Sequence, residues 1–512
     1  MMVGLYIGPA YAQQAVTSAA PSSVSVTIYR NPNRAAAQAM NTGYLGGYAL
    51  ITETRTIDLP AGEVDLRFEG VAGGIVPQSA IVTGLADGIV EKNRDAQLLS
   101  PSALWNGYLG RRVILRRTNA KTGETREYQA DIRTDASGGM VVETTDGLEA
   151  LQCTGFNETI IYPQVPAGLS AKPTLSVRSY ARTATRATVT LSYIATNFDW
   201  QANYVANVDA DGARLTLFSW VTLANGDETS FVNASTQTVA GKLNKRRDNV
   251  QRATGGQIAL NCWPQGRTDQ IPEIERDLQT IVVTGMRREA MFDKAMATLE
   301  MESPAPAPPP VAAQQEELGD LKLYRIPVTV TVAAQSQKQI RMFEKSAVAF
   351  DTIDLQSLWP GQILSGQPLN VALRLQNKKA DGLGLPLPAG RLIAFRPDAS
   401  GARLLVGEGS IDDKAVGEEA EIVIARSAQM FLSSEQQSGE PDDDSKVRIM
   451  KLTITNAAAG PKQAEISLTP YPNERIEKPS SKLARKNGQP LWKVVVPANG
   501  SAQLTYRLVR KD

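Results

Sequence analysis

The chain has 512 residues, enough for two or three domains with cores of their own. Hydrophobic residues make up 42% and charged residues 21%, the balance of a folded chain, and a net charge of +1 gives no field for steering nucleic acid or an anionic membrane. Histidine is absent, which excludes Ser-His-Asp and Cys-His nucleophile pairs, His zinc sites and two-His iron sites. Carboxylate, lysine and oxygen-ligand calcium chemistry remain.

Met2 to Ala10 is a short apolar stretch that runs into Ala10-Tyr11-Ala12 and Gln13, a small-x-small cleavage pattern. A basic flank is missing, so the start codon is expected upstream of Met1. Residues 1–23 then comprise a signal-peptide remnant and a small, polar mature tail, and the protein is expected in the periplasm or at the cell surface. No later segment approaches the roughly 18 to 20 apolar residues that span a bilayer.

From residue 24 onward the dominant signal has period two. Val64, Leu66 and Phe68 alternate with Asp65, Arg67 and Glu69. Val189, Leu191 and Tyr193 follow the same rule, as do Val328, Val330 and Val332 among threonines, and Leu504, Tyr506 and Leu508. Each run buries one face and wets the other. Turn signals such as Pro60-Ala61-Gly62, Asp211-Gly212, Asn225-Gly226 and Asn499-Gly500 separate the runs. The expected fold class is all-β, with antiparallel β-sandwich domains. Residues 24–168 are read as an N-terminal β domain, and 172–242 plus 318–512 as a C-terminal β-sandwich region.

Between them, 243–317 reads as a long, partly disordered insertion, with a short helix near Arg287 to Glu302 and a Pro-rich linker, Ser303 to Pro310. Within it, Thr280, Ile281, Val282, Val283 and Thr284 form a β-prone segment closed by Gly285. The segment resembles the TonB box of outer-membrane receptors, which docks by adding a strand to a partner's sheet edge. TonB or another outer-membrane protein is therefore a candidate partner; an ordinary short strand is the plainer alternative. Cys153 and Cys262 could pair in an oxidising compartment or stand as separate thiols.

Other chemistry is thin. Asp209-Ala210-Asp211-Gly212 and Asp442-Asp443-Asp444 echo a calcium loop without its ligand spacing, and read as a hairpin turn and a solvated loop. Ser-x-x-Lys and Gly-x-Ser-x-Gly nucleophile motifs and nucleotide fingerprints are missing. Tyr193, Trp200, Tyr204 and Trp220 could form a carbohydrate-stacking platform, although aromatics at strand spacing are more often core. No cofactor, metal site or catalytic residue is nominated.

Several segments fall in a familiar order: Leu191-Ser192-Tyr193, Trp200-Gln201-Ala202-Asn203-Tyr204, Trp220 to Gly226, Phe231 to Ala234 and Val239-Ala240-Gly241. Leu375-Gln376-Asn377, Gly382 to Gly390 and Tyr506-Arg507-Leu508 continue the series, and Ile57 to Gly62 and Gly110 to Val113 fit an N-terminal companion half. The chain so resembles the domain of unknown function 4139 family of the bacterial mucoidy inhibitor A group, without that group's coiled-coil segment. The resemblance implies a cell-envelope protein linked to capsule or exopolysaccharide, and its motifs read as fold determinants. The expectation is an exported envelope binding module, not an enzyme. A carboxylate-based polysaccharide hydrolase and a structural or adhesive surface protein are the alternatives.

Overall fold

The computed structural model describes residues 14–95, 98–119, 122–136, 140–151, 157–166, 169–241, 243–245, 261–262, 266–267, 314–318, 321–438 and 447–510. The all-β expectation holds: strands dominate, and Pro101–Gly107 is the α-helix found among the described residues. That short helix was not anticipated, although its start is conventional. The Ser100 hydroxyl accepts from the Ala103 N–H at 3.2 Å and Pro101 fills the first turn. The expected helix near Arg287 to Glu302 and the Pro-rich run lie outside the described residues, as do Met1 to Gln13.

Contacts divide the chain into two units. The first takes the described residues of Met1–Ser23, Thr52–Tyr193 and Asp248–Pro310, and the second those of Val24–Ile51, Ile194–Arg247 and Val311–Asp512. The sequence boundaries, at 24, 168 and 172, run differently. The change of unit falls inside the strands Gly47–Leu59 and Thr185–Val208, where neither turn nor linker marks it.

The first unit holds a sheet of four strands in the order Gln14–Ser18, Gly62–Glu69, Thr174–Ala181 and Ile89–Asp95, its first pair parallel and the others antiparallel. Val64, Leu66 and Phe68 are buried and alternate with wetter charged neighbours. A second, antiparallel sheet runs Gly147–Ala150, Val141–Thr144, Thr125–Ile132, Arg112–Thr118, Asn157–Ile161. Its core gathers Val113, Leu115, Ile132 and Val142 around Trp105 of the helix, whose Nε1–H donates to Thr134 O at 2.7 Å.

In the second unit, Thr185–Val208 pairs through Phe198 to Val208 with Arg214–Asn225, which pairs in turn with Ser336–Leu358. Gly390–Pro397 lies parallel to Ala202–Asn207, and Arg403–Ile411 adds antiparallel to it. Ser336–Leu358 also carries the chain into a ladder with Leu364–Gln376, Glu419–Ser438, Val447–Asn456 and Gly500–Arg510. That ladder buries Met430, Leu432, Leu452, Ile454, Leu504, Tyr506 and Leu508 in one cluster, which Trp492 of the strand Gln489–Val496 joins. The expected alternation at Val328 fails: Val328 is exposed and the strand is only Val330–Val332. Pro327, which has no N–H to donate, stands just before it.

Candidate functional site: clefts of the second unit

The segment Gly382 to Gly390 packs three leucines and two prolines between glycines and would be a loose loop without outside partners. Its entry is shaped by Gly384, at φ +74, where an added Cβ would meet Lys379 backbone at 2.8 Å. Both tight space and a left-handed backbone therefore require glycine. Beyond it the main chain is tied at each step. Tyr324 Oη–H donates to Pro386 O at 3.2 Å, Tyr204 Oη–H to Pro388 O at 2.6 Å, and the Arg30 guanidinium to Ala389 O at 3.0 Å. Leu387 and Lys414 exchange both backbone hydrogen bonds, at 2.9 and 2.8 Å. Burial pushes the Tyr204 and Tyr324 phenols up, well above the ordinary value for Tyr204, so both remain neutral donors.

Asn377 joins this strap to the turn that follows Asp413. Its fully buried amide accepts from the Gly384 and Leu385 N–H groups at 3.2 and 3.3 Å and donates to Ala415 O at 2.8 Å. Its backbone bonds Glu418 O and the Gly417 N–H. Between strap and turn opens a cleft of about 210 Å³, lined by Gly241, Lys322, Tyr324, Pro388, Lys414 and Glu418 among others. Its carboxylates are engaged: Asp413 accepts from the Ala389 N–H at 2.8 Å and lies 3.9 Å from Arg30, and Glu418 accepts from the Ala415 N–H at 2.8 Å.

Buried polar groups behind the cleft hold the residues 30–40 in place. Arg34 donates to Asp199 Oδ1 at 3.1 Å, Gln201 Oε1 at 3.0 Å and Trp200 O at 2.6 Å. Burial raises the Asp199 carboxyl, with the Arg34 charge acting against the rise. The Trp200 indole donates to Val239 O at 3.0 Å and its ring lies 6.3 Å from that of Tyr324. Trp200 to Tyr204, Val239 to Gly241, Asn377 and Gly382 to Gly390, spread over 190 positions of sequence, thus meet around one cleft.

Two further constellations belong to this unit. Arg374 contacts Glu421, Glu465 at 2.6 Å and Glu419 at 3.5 Å, while Lys486 bridges Glu419 and Glu421 at 2.6 and 2.7 Å and Lys493 reaches Glu465 at 2.9 Å. Three cations and three carboxylates balance, the arrangement of an ion-pair lattice and not of a poised acid or base. Burial works against the Glu465 charge, but Arg374 and Lys493 outweigh it and hold the carboxyl down at about 2; Glu419 is lowered for the same kind of reason. A depressed folded-state value means that this stability is complete above the ordinary 4.5 and is lost as pH falls toward 2. After discounting for solvent screening, about 1–2 kcal/mol is expected to disappear across that window. Urea unfolding between pH 7 and pH 2.5 checks this: the loss shrinks in Arg374→Gln, and an equal loss in both proteins would refute it.

The second constellation is a cleft of about 540 Å³ bordered by Asn207, Phe218, Glu344, Phe395, Arg396 and Arg403, among others. Asp209 to Gly212 stands at its rim as a hairpin turn, with Gly212 N–H on Asp209 O at 3.0 Å and Ala213 N–H on Asp211 Oδ1 at 3.0 Å. The turn reading of that segment is the one found, and no group of three or more Asp, Glu, Cys or His that could hold a metal occurs among the described residues.

Of the four aromatics weighed as core or as a stacking platform, three take the core reading. Tyr193, Trp200 and Tyr204 are core residues with at most 1% exposure, so none can stack on a ligand; Trp220 alone is half-buried, with the Arg341 guanidinium 5.9 Å from its ring centre. Thr280, Ile281, Val282, Val283, Thr284, Asp442 to Asp444 and Cys153 lie outside the described residues. Cys262 sits in a two-residue ladder with Gly266–Arg267. No helix among the described residues is long and apolar enough to cross a membrane. No protein-family model matches the chain, and no curated protein matches it significantly.

Proposed function

We propose that this chain is an exported cell-envelope protein that works by binding and not by catalysis, presenting rigid clefts of its second unit to an envelope partner. The observation that supports the reading most is the strap cleft, where sequence segments far apart converge on a backbone that is tied at each step. A rigid concave surface with a few fixed polar groups is the usual form of a recognition site. Its carboxylates accept backbone N–H groups, and the chain offers no histidine to act as a base. The small-x-small pattern near Ala12 supports export, and the β-branched run Thr280 to Thr284 supports a second, strand-donating contact with TonB or an outer-membrane protein.

Crosslinked affinity capture from intact cells tests both contacts. Ala415→Arg plugs the strap cleft from an exposed position, and deletion of Ile281 to Val283 removes the candidate strand. Each is expected to lose a specific envelope partner at least tenfold without a change in melting temperature. Capture that is identical for wild type and both variants would remove the proposal.

A further inference from the structure

The outer face of the second unit's sheet has an unusual composition. Register places Asn207, Thr216, Phe395 and Leu405 in one row across four strands. The next row holds Glu344, Phe218, Val205, Ile393 and Glu408, and the third Arg341, Trp220, Asn203, Arg391 and Ser410. Directly paired residues share a face, so Trp220, Phe218 and Phe395 lie along a diagonal of this face, with Val205 and Asn207 between Phe218 and Phe395 and with Glu344 and Arg341 on the strand beyond Phe218 and Trp220. All three rings are half-buried, whereas Tyr204, Ala206, Leu217, Leu392 and Ala394 on the opposite face are buried. The 540 Å³ cleft lies at the Phe218–Phe395 end of the diagonal. At its wall, Asn207 Oδ1 is buried and accepts no hydrogen bond from any described residue, an acceptor whose lost hydration is uncompensated.

Three kinds of occupant can be compared with this surface. The core of a protein interface is depleted of charge, yet Glu344 and Arg341 flank Phe218 and Trp220 directly, and Arg391 and Glu408 stand on the same face. A lipid surface selects a uniformly basic rim around an apolar face, and here Glu344 and Glu408 alternate with Arg341, Arg391, Arg396 and Arg403. A pyranose ring has apolar C–H faces and an equatorial belt of hydroxyls. The faces suit aromatic rings, and the hydroxyls suit planar donors and acceptors such as Asn207, Glu344 and Arg403. We propose that this face is a saccharide-binding site: Phe218 and Phe395 stack on sugar rings in the cleft, and Arg403, an exposed residue of its border, donates to the ligand. The proposal rests on the binding-module reading and names a ligand class for it.

Titration calorimetry of the full chain with cellohexaose, chitohexaose and a hexameric oligouronate, one neutral, one N-acetylated and one anionic, tests it. At least one is expected to bind with micromolar to millimolar affinity. Phe395→Ala and Phe218→Ala each weaken that binding tenfold or more, and Arg403→Ala, at an exposed position that leaves the core intact, weakens it several-fold. Ala415→Arg, at the strap cleft, leaves it unchanged. Absence of binding for all three hexasaccharides, or binding that none of the three cleft variants alters, overturns the proposal. If Phe395→Ala instead abolishes capture of an envelope protein while no sugar binds, the face is a protein interface and the saccharide assignment is wrong. The binding-module reading is judged separately, by capture with Ala415→Arg and with the Ile281 to Val283 deletion.

Discussion

Glu53→Ala is expected to destabilise the first unit by about 3–5 kcal/mol, the usual cost of removing one partner from a buried ion pair. Glu53, Arg55 and Tyr193 have no exposure at all. The Glu53 carboxylate receives Arg55 Nε–H at 2.9 Å and Nη2–H at 2.6 Å on one oxygen, and the Tyr193 hydroxyl at 2.7 Å on the other. The Tyr193 oxygen in turn accepts from the Ala72 N–H at 3.1 Å, and the remaining Arg55 donors reach Ser18 O at 2.6 Å and Glu69 O at 2.8 Å. Without the carboxylate, a guanidinium stays in the core with only neutral groups around it: carbonyls, the Ser18 hydroxyl and the Phe68 ring. Burial already pushes the Tyr193 phenol well above its ordinary value, so the phenol cannot supply the missing negative charge. Folded domains have only about 5–15 kcal/mol in hand, so the first unit should unfold at markedly lower denaturant while the second keeps its midpoint. The double change Glu53→Leu with Arg55→Met is expected to recover most of the loss, because it removes both charges together. Urea unfolding followed by Trp fluorescence and circular dichroism gives the answer. A loss under 1 kcal/mol for Glu53→Ala would show that water reaches the pair.

Gly390→Ala is the second substitution with a large expected effect, about 3 kcal/mol or more, at the upper end for overpacked sites. A Cβ at Gly390 would stand 2.1 Å from Ala202 O and 2.7 Å from Ala202 C, both of them backbone. No side chain can swing aside, so the parallel ladder between Ala202–Asn207 and Gly390–Phe395 must open at its first rung. The strap ends at that rung, and the Tyr204 bond to Pro388 O should loosen with it. Hydrogen exchange is expected to accelerate at Leu387 and Ala389, whose N–H groups are bonded to Lys414 O and Asp413. Gly460→Ala serves as the control, since an added Cβ there meets nothing within 4 Å. Equal stability of the two variants would mean that the ladder shifts freely.

Much of the fold was legible because burial on one face leaves a period of two in the residues. Leu504, Tyr506 and Leu508 and Val64, Leu66 and Phe68 are buried as their alternation requires. Legibility failed where charge occupies the inward phase. In Gly47–Leu59, Glu53 and Arg55 stand at inward positions between Ile51 and Ile57, and an alternation counted in apolar residues passes over them. The clefts were hidden for a different reason. Phe218 and Phe395 are 177 positions apart in sequence, and the register that sets both beside Val205 and Asn207 is a product of strand pairing. Tyr193, Trp200 and Tyr204 are core, as aromatics at strand spacing more often are, whereas Trp220, grouped with them in sequence, is half-buried. Spacing along the chain cannot distinguish the two sides of a sheet when a strand's neighbours are unknown. The motif glycines and prolines of Gly382 to Gly390 were visible as punctuation, and their reason became clear only with Tyr204, Tyr324, Arg30 and Asn377 in place.

The tied strap has a consequence for survival among proteases. A protease must draw several residues of extended chain into its own active site, which requires the substrate backbone to give up its existing hydrogen bonds. Leucine-rich surface loops are ordinarily good substrates. Here the carbonyls of Pro386, Leu387, Pro388 and Ala389 are all engaged, by two phenols, a guanidinium and a neighbouring backbone. Cleavage would have to await an opening that breaks these bonds together, so the segment that most resembles an exposed loop in sequence is shielded as a strand in a sheet would be.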